Sequence, residues 1–229
     1  MKAMLLAAGE GRRMRPLTLA TPKPLLPVVG RPLIEHSIER LAAAGVTELV
    51  INASWLGEQL VDYFGDGTRW NVSIAWSLEP KPLETAGAVI EALPLLGEQP
   101  FLLVNGDVWC DYPLENLVAR QQTLREETAA YLVLVDNPEH NPEGDFYLDQ
   151  GSIDQCGSGA KQTFSGISLW RPEPFIQCAN QLQSRVLPLR ELLLPLIATG
   201  SVAGELWRGD WCDVGTPERY RALNSRLTS

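Results

Sequence analysis

The chain has 229 residues, 45% of them hydrophobic, and a formal net charge of −9. This length and apolar share suit a single globular domain spanning residues 1–229 and exclude a disordered chain. The acidic balance argues against nucleic acid as a partner, and no apolar run approaches the ~20 residues that cross a membrane.

In chain order, the apolar run 3–8 reads as a buried strand that stops at Gly9 and Gly11. Glycine at both positions permits positive φ and removes Cβ, so backbone N–H groups can close around an anion. Arg12, Arg13, Arg15 and Lys23 follow. Residues 1–31 hold six basic groups against the single acid Glu10, a local +5 that leaves −14 for the remainder. Such a pocket on an acidic body suits a small polyphosphate. The apolar run is too short for a signal peptide and passes straight into Glu10 and the arginines, so the chain reads as cytoplasmic.

Two familiar phosphate loops are excluded by spacing. No G-x-x-x-x-G-K-[ST] string occurs. The dinucleotide fingerprint fails because Met14 holds its third glycine position and Pro16 blocks an early helix.

Beyond the loop, apolar spacing predicts a helix over 31–44 closed by Gly45, a strand over 47–53, a helix over 55–64 and a strand over 71–77. A helix over 85–93 and strands over 101–104 and 130–136 follow. This alternation predicts an α/β fold with a Rossmann-like, mixed and mainly parallel sheet between helices. From 137 the texture turns rich in Pro, Gly, Asn and Asp, which reads as a β-rich insertion or lid over 137–170, with strands at 144–148 and 163–170. A helix over 187–198, strands within 204–213 and a helix over 217–227 with Thr216 as N-cap complete the chain.

Two carboxylates stand at strand ends, Asp107 in N-G-D-V-W and Asp213 in W-C-D-V-G-T-P-E. Mg²⁺ takes one or two carboxylates plus substrate phosphate oxygens, so this pair is a sufficient protein contribution. Cys110, Cys156, Cys178 and Cys212 form no C-x-x-C pair and read as free thiols. His36 and His140 have no partner implied by sequence.

The strings G-x-G-x-R-M-x-P-L-T, P-K-P, L-E-T-A-G-A, N-G-D and W-x-D-V-G-T-P-E occur in the order seen in sugar nucleotidyltransferases, and the chain resembles that superfamily over nearly its whole length. Within it, N-G-D-V-W, G-D-F-Y-L and F-S-G-I-S resemble the N-acetylmuramate α-1-phosphate uridylyltransferases of cell-wall recycling. The resemblance implies nucleotidyl transfer from an NTP, UTP first, to a sugar 1-phosphate, by a monomer or homodimer. It implies Arg13 on the departing pyrophosphate and Lys23 on the α-phosphate and sugar phosphate, with Mg²⁺ on Asp107 and Asp213. It places the nucleotide against Leu6, Ala7, Ala8, Gly9, Gly11, Glu79, Glu84, Thr85 and Gly87. The sugar falls to Asn105, Gly144, Asp145 and Gly166, with Lys161 or Arg208 facing a lactyl carboxylate. Glu79 stands where related uridylyl- and thymidylyltransferases carry glutamine, so guanylyl or thymidylyl transfer to mannose or glucose 1-phosphate stays open. A non-catalytic nucleotide-sensing subunit is the reading from another class.

Overall fold

The structure is a computed structural model that describes residues 1–181 and 184–228. It opens on β1 (Lys2–Leu6), whose alternating side chains feed two cores: Ala3 and Leu5 face one side of the sheet and Met4 the other. Two 3₁₀ turns, Arg12–Met14 and Lys23–Leu25, and a short hairpin of β2 (Pro27–Val28) and β3 (Arg31–Pro32) lead into α1 (Leu33–Ala43). The helix starts two residues later than spacing predicts because Arg31 and Pro32 pair with Val28 and Pro27. Its end is a Schellman closure, with Gly45 N–H donating to Ala42 and Val46 N–H to Leu41.

The chain then alternates through β4 (Glu48–Ala53), α2 (Gly57–Phe64), β5 (Ser73–Leu78), α3 (Glu84–Leu96) and β6 (Phe101–Asn105). A short strand β7 (Val108–Cys110) and α4 (Glu115–Arg120) precede β8 (Ala130–Val135). After the hairpin β9 (Tyr147–Asp149) and β10 (Ser152–Asp154) come β11 (Thr163–Trp170), α5 (Glu173–Ala179) and α6 (Leu189–Ala198). The last elements are β12 (Val202–Trp207), β13 (Trp211–Asp213) and α7 (Pro217–Thr228).

Nine strands join in the order β5-β4-β1-β6-β11-β8-β12-β10-β9. Only β11 and β10 run against the others, so the sheet is mixed and mainly parallel. The chain steps from β1 to β4 to β5 on one side, then returns to β6 on the other side of β1. Loops leaving β1 and β6 therefore part in opposite directions and open a crevice at their C-terminal ends. Helices α1, α2 and α4 cover one face, and α3, α5 and α6 the other.

The lid expected over 137–170 divides in two. The hairpin β9–β10 only extends the edge of the main sheet, and 163–170 is no lid at all: β11 lies between β6 and β8 in the heart of it. A smaller third cluster, Met14, Leu26, Val28, Leu33, Val214 and Leu223, fastens α7 and β13 to the N-terminal loop. No helix among the described residues is long and apolar enough to cross a membrane.

Candidate active site

A cleft of about 540 Å³ opens at the crevice between β1 and β6, lined by the loop from Leu6 to Met14, by Lys23, Glu79, Glu84 and Thr85, and by Asn105, Asp107 and Gly215. Its floor is tied together by one buried polar chain. Ala7 N–H donates to Asn52 Oδ1 at 2.7 Å, Asn52 Nδ2 donates to Glu79 Oε1 at 2.7 Å, and Leu83 N–H donates to Glu79 Oε2 at 3.0 Å. Burial pushes the Glu79 carboxyl above its ordinary value, against the pull of these donors. Glu79 therefore faces the cleft with both oxygens engaged, anchoring the β5–α3 loop to the phosphate loop. Asn52, the central link, was not singled out from sequence, because a polar residue at the end of an apolar strand reads as a boundary.

The phosphate loop itself takes its shape from Gly11. Gly11 has φ +62° and its carbonyl accepts from Met14 N–H and Thr18 Oγ1, both at 2.8 Å. Gly9 differs from the expectation: its φ is not positive, and an added Cβ would meet no atom within 4 Å, so it is small for the sake of the cleft. Arg12 is turned back in a two-pronged contact with Glu10. Arg13 is exposed on the cleft wall and makes no hydrogen bond or ion pair among the described residues. Arg15 lies outside the cleft lining. On the opposite wall Glu84 opens α3 at φ +61°, a left-handed conformation held by its surroundings.

At the far end β7 and β13 form a separate antiparallel ribbon in which Asp213 lies opposite Val108, and Val214 N–H donates to the Asp107 carbonyl at 2.9 Å. This ribbon brings the two carboxylates near one another: Asp107 lines the cleft, and Asp213 lies outside that lining, two residues before Gly215, which belongs to it. Lys23, buried, donates from Nζ to Asp107 Oδ2 at 2.6 Å. Asp213 Oδ1 receives Arg219 Nη1 at 2.7 Å and lies 2.9 Å from His140 Nε2. Burial pushes the Asp213 carboxyl up, Arg219 and His140 draw it down, and the charge of Asp107 raises it again. Asp107 Oδ1 and Asp213 Oδ2 have no partner among the described residues. One open hard oxygen from each carboxylate fits a dication that completes its shell with phosphate oxygens and water.

The sugar-side residues are brought together less directly. Asn105 lines the cleft, and Gly166, at a bulge in β11, lies outside the lining and packs against the Asn105 side chain: a Cβ there would lie 2.6 Å from Asn105 Nδ2. Gly144, Asp145 and Lys161 lie outside the cleft lining, in a network that ties loop 137–145 to β11. Asp145 Oδ2 accepts from Phe164 N–H at 2.8 Å, and Lys161 Nζ stands over the Tyr147 ring. Gly87, expected on the nucleotide, lies outside the cleft lining: a Cβ there would lie 2.2 Å from the Arg185 carbonyl oxygen, so the glycine admits segment 185–187 against α3. Arg208 pairs with exposed Asp136. His36 is satisfied by the Val28 carbonyl, while His140 and Arg219 are site residues that sequence reading missed.

A family model described as nucleotidyl transferase matches residues 2–155. The chain belongs to the nucleotidyl transferase family. This nucleotidyltransferase is 48% identical over 226 residues to the N-acetylmuramate alpha-1-phosphate uridylyltransferase of Neisseria meningitidis, covering 96% of each chain. It is 32% identical over 234 residues to a mannose-1-phosphate guanyltransferase of Aspergillus oryzae, covering 96% of this chain and 62% of that one. Among solved structures, HddC from Yersinia pseudotuberculosis complexed with GMP-PN superposes with a TM-score of 0.79 at 19% identity, over 99% of both chains. An apo UDP-glucose pyrophosphorylase gives 0.81 at 18% identity, over 100% of this chain and 98% of that one. These two likenesses speak to the fold.

Proposed function

We propose that this sugar-1-phosphate nucleotidyltransferase joins UTP to N-acetylmuramic acid α-1-phosphate, giving the UDP-sugar and pyrophosphate, in the cytoplasm and in the service of peptidoglycan recycling. The observation that carries the chemistry is that Arg13, Lys23 and Asp107 line one cleft, while strand pairing brings Asp213 opposite Val108, next to Asp107. The substrate pair is supported by 48% identity that extends over 96% of both chains.

A phosphate monoester is already anionic, so its oxygen attacks the α-phosphorus with no general base. The bond from the α-phosphorus to the bridging oxygen breaks, and pyrophosphate leaves with the electron pair. What the protein must supply is alignment and neutralisation of charge. Arg13, without a partner among the described residues, receives the departing pyrophosphate, while Lys23, held by Asp107, serves the α-phosphate and the sugar phosphate. Asn105, beside Gly166, orients the sugar. Asp107 and Asp213 would hold Mg²⁺, which when bound draws together and neutralises oxygens of both reactants.

The test is pyrophosphate release, with and without Mg²⁺, over a grid of UTP, GTP, CTP and dTTP against the 1-phosphates of N-acetylmuramate, N-acetylglucosamine, glucose and mannose. Turnover confined to UTP with the muramate sugar is the expected result. Turnover with GTP and mannose 1-phosphate would keep the mechanism and discard the substrate pair. Silence across the grid in a protein that binds nucleotide would discard the enzyme reading for a sensor.

A further inference from the structure

Asp213 is gripped from two sides by elements that are remote in sequence. Arg219, on the first turn of α7, donates to Asp213 Oδ1, and His140, from loop 137–145, reaches the same oxygen. The seat for Arg219 is built into the chain. A Cβ on Gly215 would lie 1.9 Å from Arg219 Nη2, so any other residue there would push the guanidinium out of its present seat. Arg219 Nε is buried with no hydrogen-bond partner among the described residues, a cost that the fold tolerates to keep this side chain in place. Thr216 Oγ1 accepts from Arg219 N–H at 3.4 Å and steadies the start of the helix. On the other side, the loop that carries His140 is moored to β11 by Asp145 on Phe164 N–H and by Asn141 Nδ2 on Thr163 Oγ1.

We propose that Arg219 and His140 are positioning residues, which occupy Oδ1 of Asp213 so that Oδ2 alone is presented to a metal ion, and that His140 thereby joins the sugar-side loop to the metal end of the cleft. The inference rests on Asp213 being a metal ligand. Groups that hold a ligating carboxylate in one orientation typically govern about 10- to 100-fold in metal affinity. The rival arrangement is that the two side chains are mere placeholders which the metal evicts. It predicts the opposite sign, since removing a placeholder tightens metal binding.

The experiment titrates Mn²⁺ into nucleotide-free protein and reads free Mn²⁺ by electron paramagnetic resonance, for wild type, R219Q, R219K, H140A, H140Q and D213N. R219Q and H140A are expected to bind Mn²⁺ about 10- to 100-fold more weakly. R219K and H140Q, which keep a donor, should recover part of that loss. With saturating Mg²⁺, H140A should also raise KM for the sugar 1-phosphate and leave KM for UTP unchanged. Where R219Q does not fold, R219K and H140A carry the same readout. Mn²⁺ binding as tight as wild type, or tighter, in R219Q and H140A while D213N loses it would overturn the positioning role alone. Undiminished Mn²⁺ binding in D213N would overturn the metal reading of Asp213, and this inference with it.

Discussion

Lys23 Nζ donates to Asp107 Oδ2 at 2.6 Å across 84 positions of sequence. The contact links the turn inside P-K-P to the N-G-D loop, and the flanking prolines fix the backbone from which the ammonium projects. Lys23 is only 9% exposed but Asp107 is 40% exposed, so water can take over the carboxylate when the ammonium is removed. K23Q is therefore expected to melt close to wild type while pyrophosphate release falls ~100- to 1000-fold. A variant that keeps more than a tenth of wild-type turnover would remove Lys23 from the chemistry.

The two loop glycines should separate in mutagenesis. An alanine at Gly11 enters the left-handed region and sets its Cβ 2.9 Å from Thr18 Cγ2, so G11A should cost about 1–2 kcal/mol of folding free energy. G9A meets nothing within 4 Å and should leave urea denaturation unchanged, yet raise KM for the nucleotide by narrowing its approach. Equal denaturation midpoints for the two variants would contradict the assignment.

Glu79 is a double acceptor, and only a carboxylate can play that part. In E79Q one oxygen becomes an NH₂ that must face either Asn52 Nδ2 or Leu83 N–H, both donors. Asn52 cannot turn over in compensation, because its own Oδ1 already accepts from Ala7 N–H. E79Q should lose about 1–3 kcal/mol in chemical denaturation, a larger effect than an isosteric change on an exposed face would give.

The thiols should differ in reactivity by burial. Cys156 is exposed, whereas burial pushes the Cys110 thiol up to about 11 from an ordinary 9.0. As pH climbs through that window the unfolded chain releases the Cys110 proton first, so the protonated native form loses its relative stability between the two values. Iodoacetamide mapping by mass spectrometry at pH 8 and pH 10 should label Cys156 at both and leave Cys110 unmodified until the protein is denatured. Labelling of native Cys110 at pH 8 would refute its burial.

The turn at Gly11 and the placing of both aspartates at strand ends were legible because each is written in a short contiguous string. Loop geometry around Gly11 and the helix stop at Gly45 follow from neighbouring residues alone. What stayed hidden depends on pairings between distant segments. Nothing in T-F-S-G-I-S-L-W marks β11 as central, since Ser165 and Ser168 read as surface positions. They are fully buried, with Ser168 Oγ accepting from Trp170 Nε1 at 2.8 Å and Ser165 Oγ from Ile167 N–H at 3.1 Å. The grip of His140 and Arg219 on Asp213 was equally invisible, because it needs the β7–β13 ribbon and the docking of α7 to exist first.

That ribbon also fixes an order of events during synthesis. Asp107 and Asp213 become neighbours only by strand pairing, and their codons are about a hundred apart, so a ribosome adding roughly 5–20 residues per second makes the second carboxylate about 5–20 s after the first. Throughout that interval a nascent chain carries the loop of Gly9 and Gly11, Arg13 and Lys23, but only one of the two aspartates, so the acidic pair is the last part of this constellation to exist.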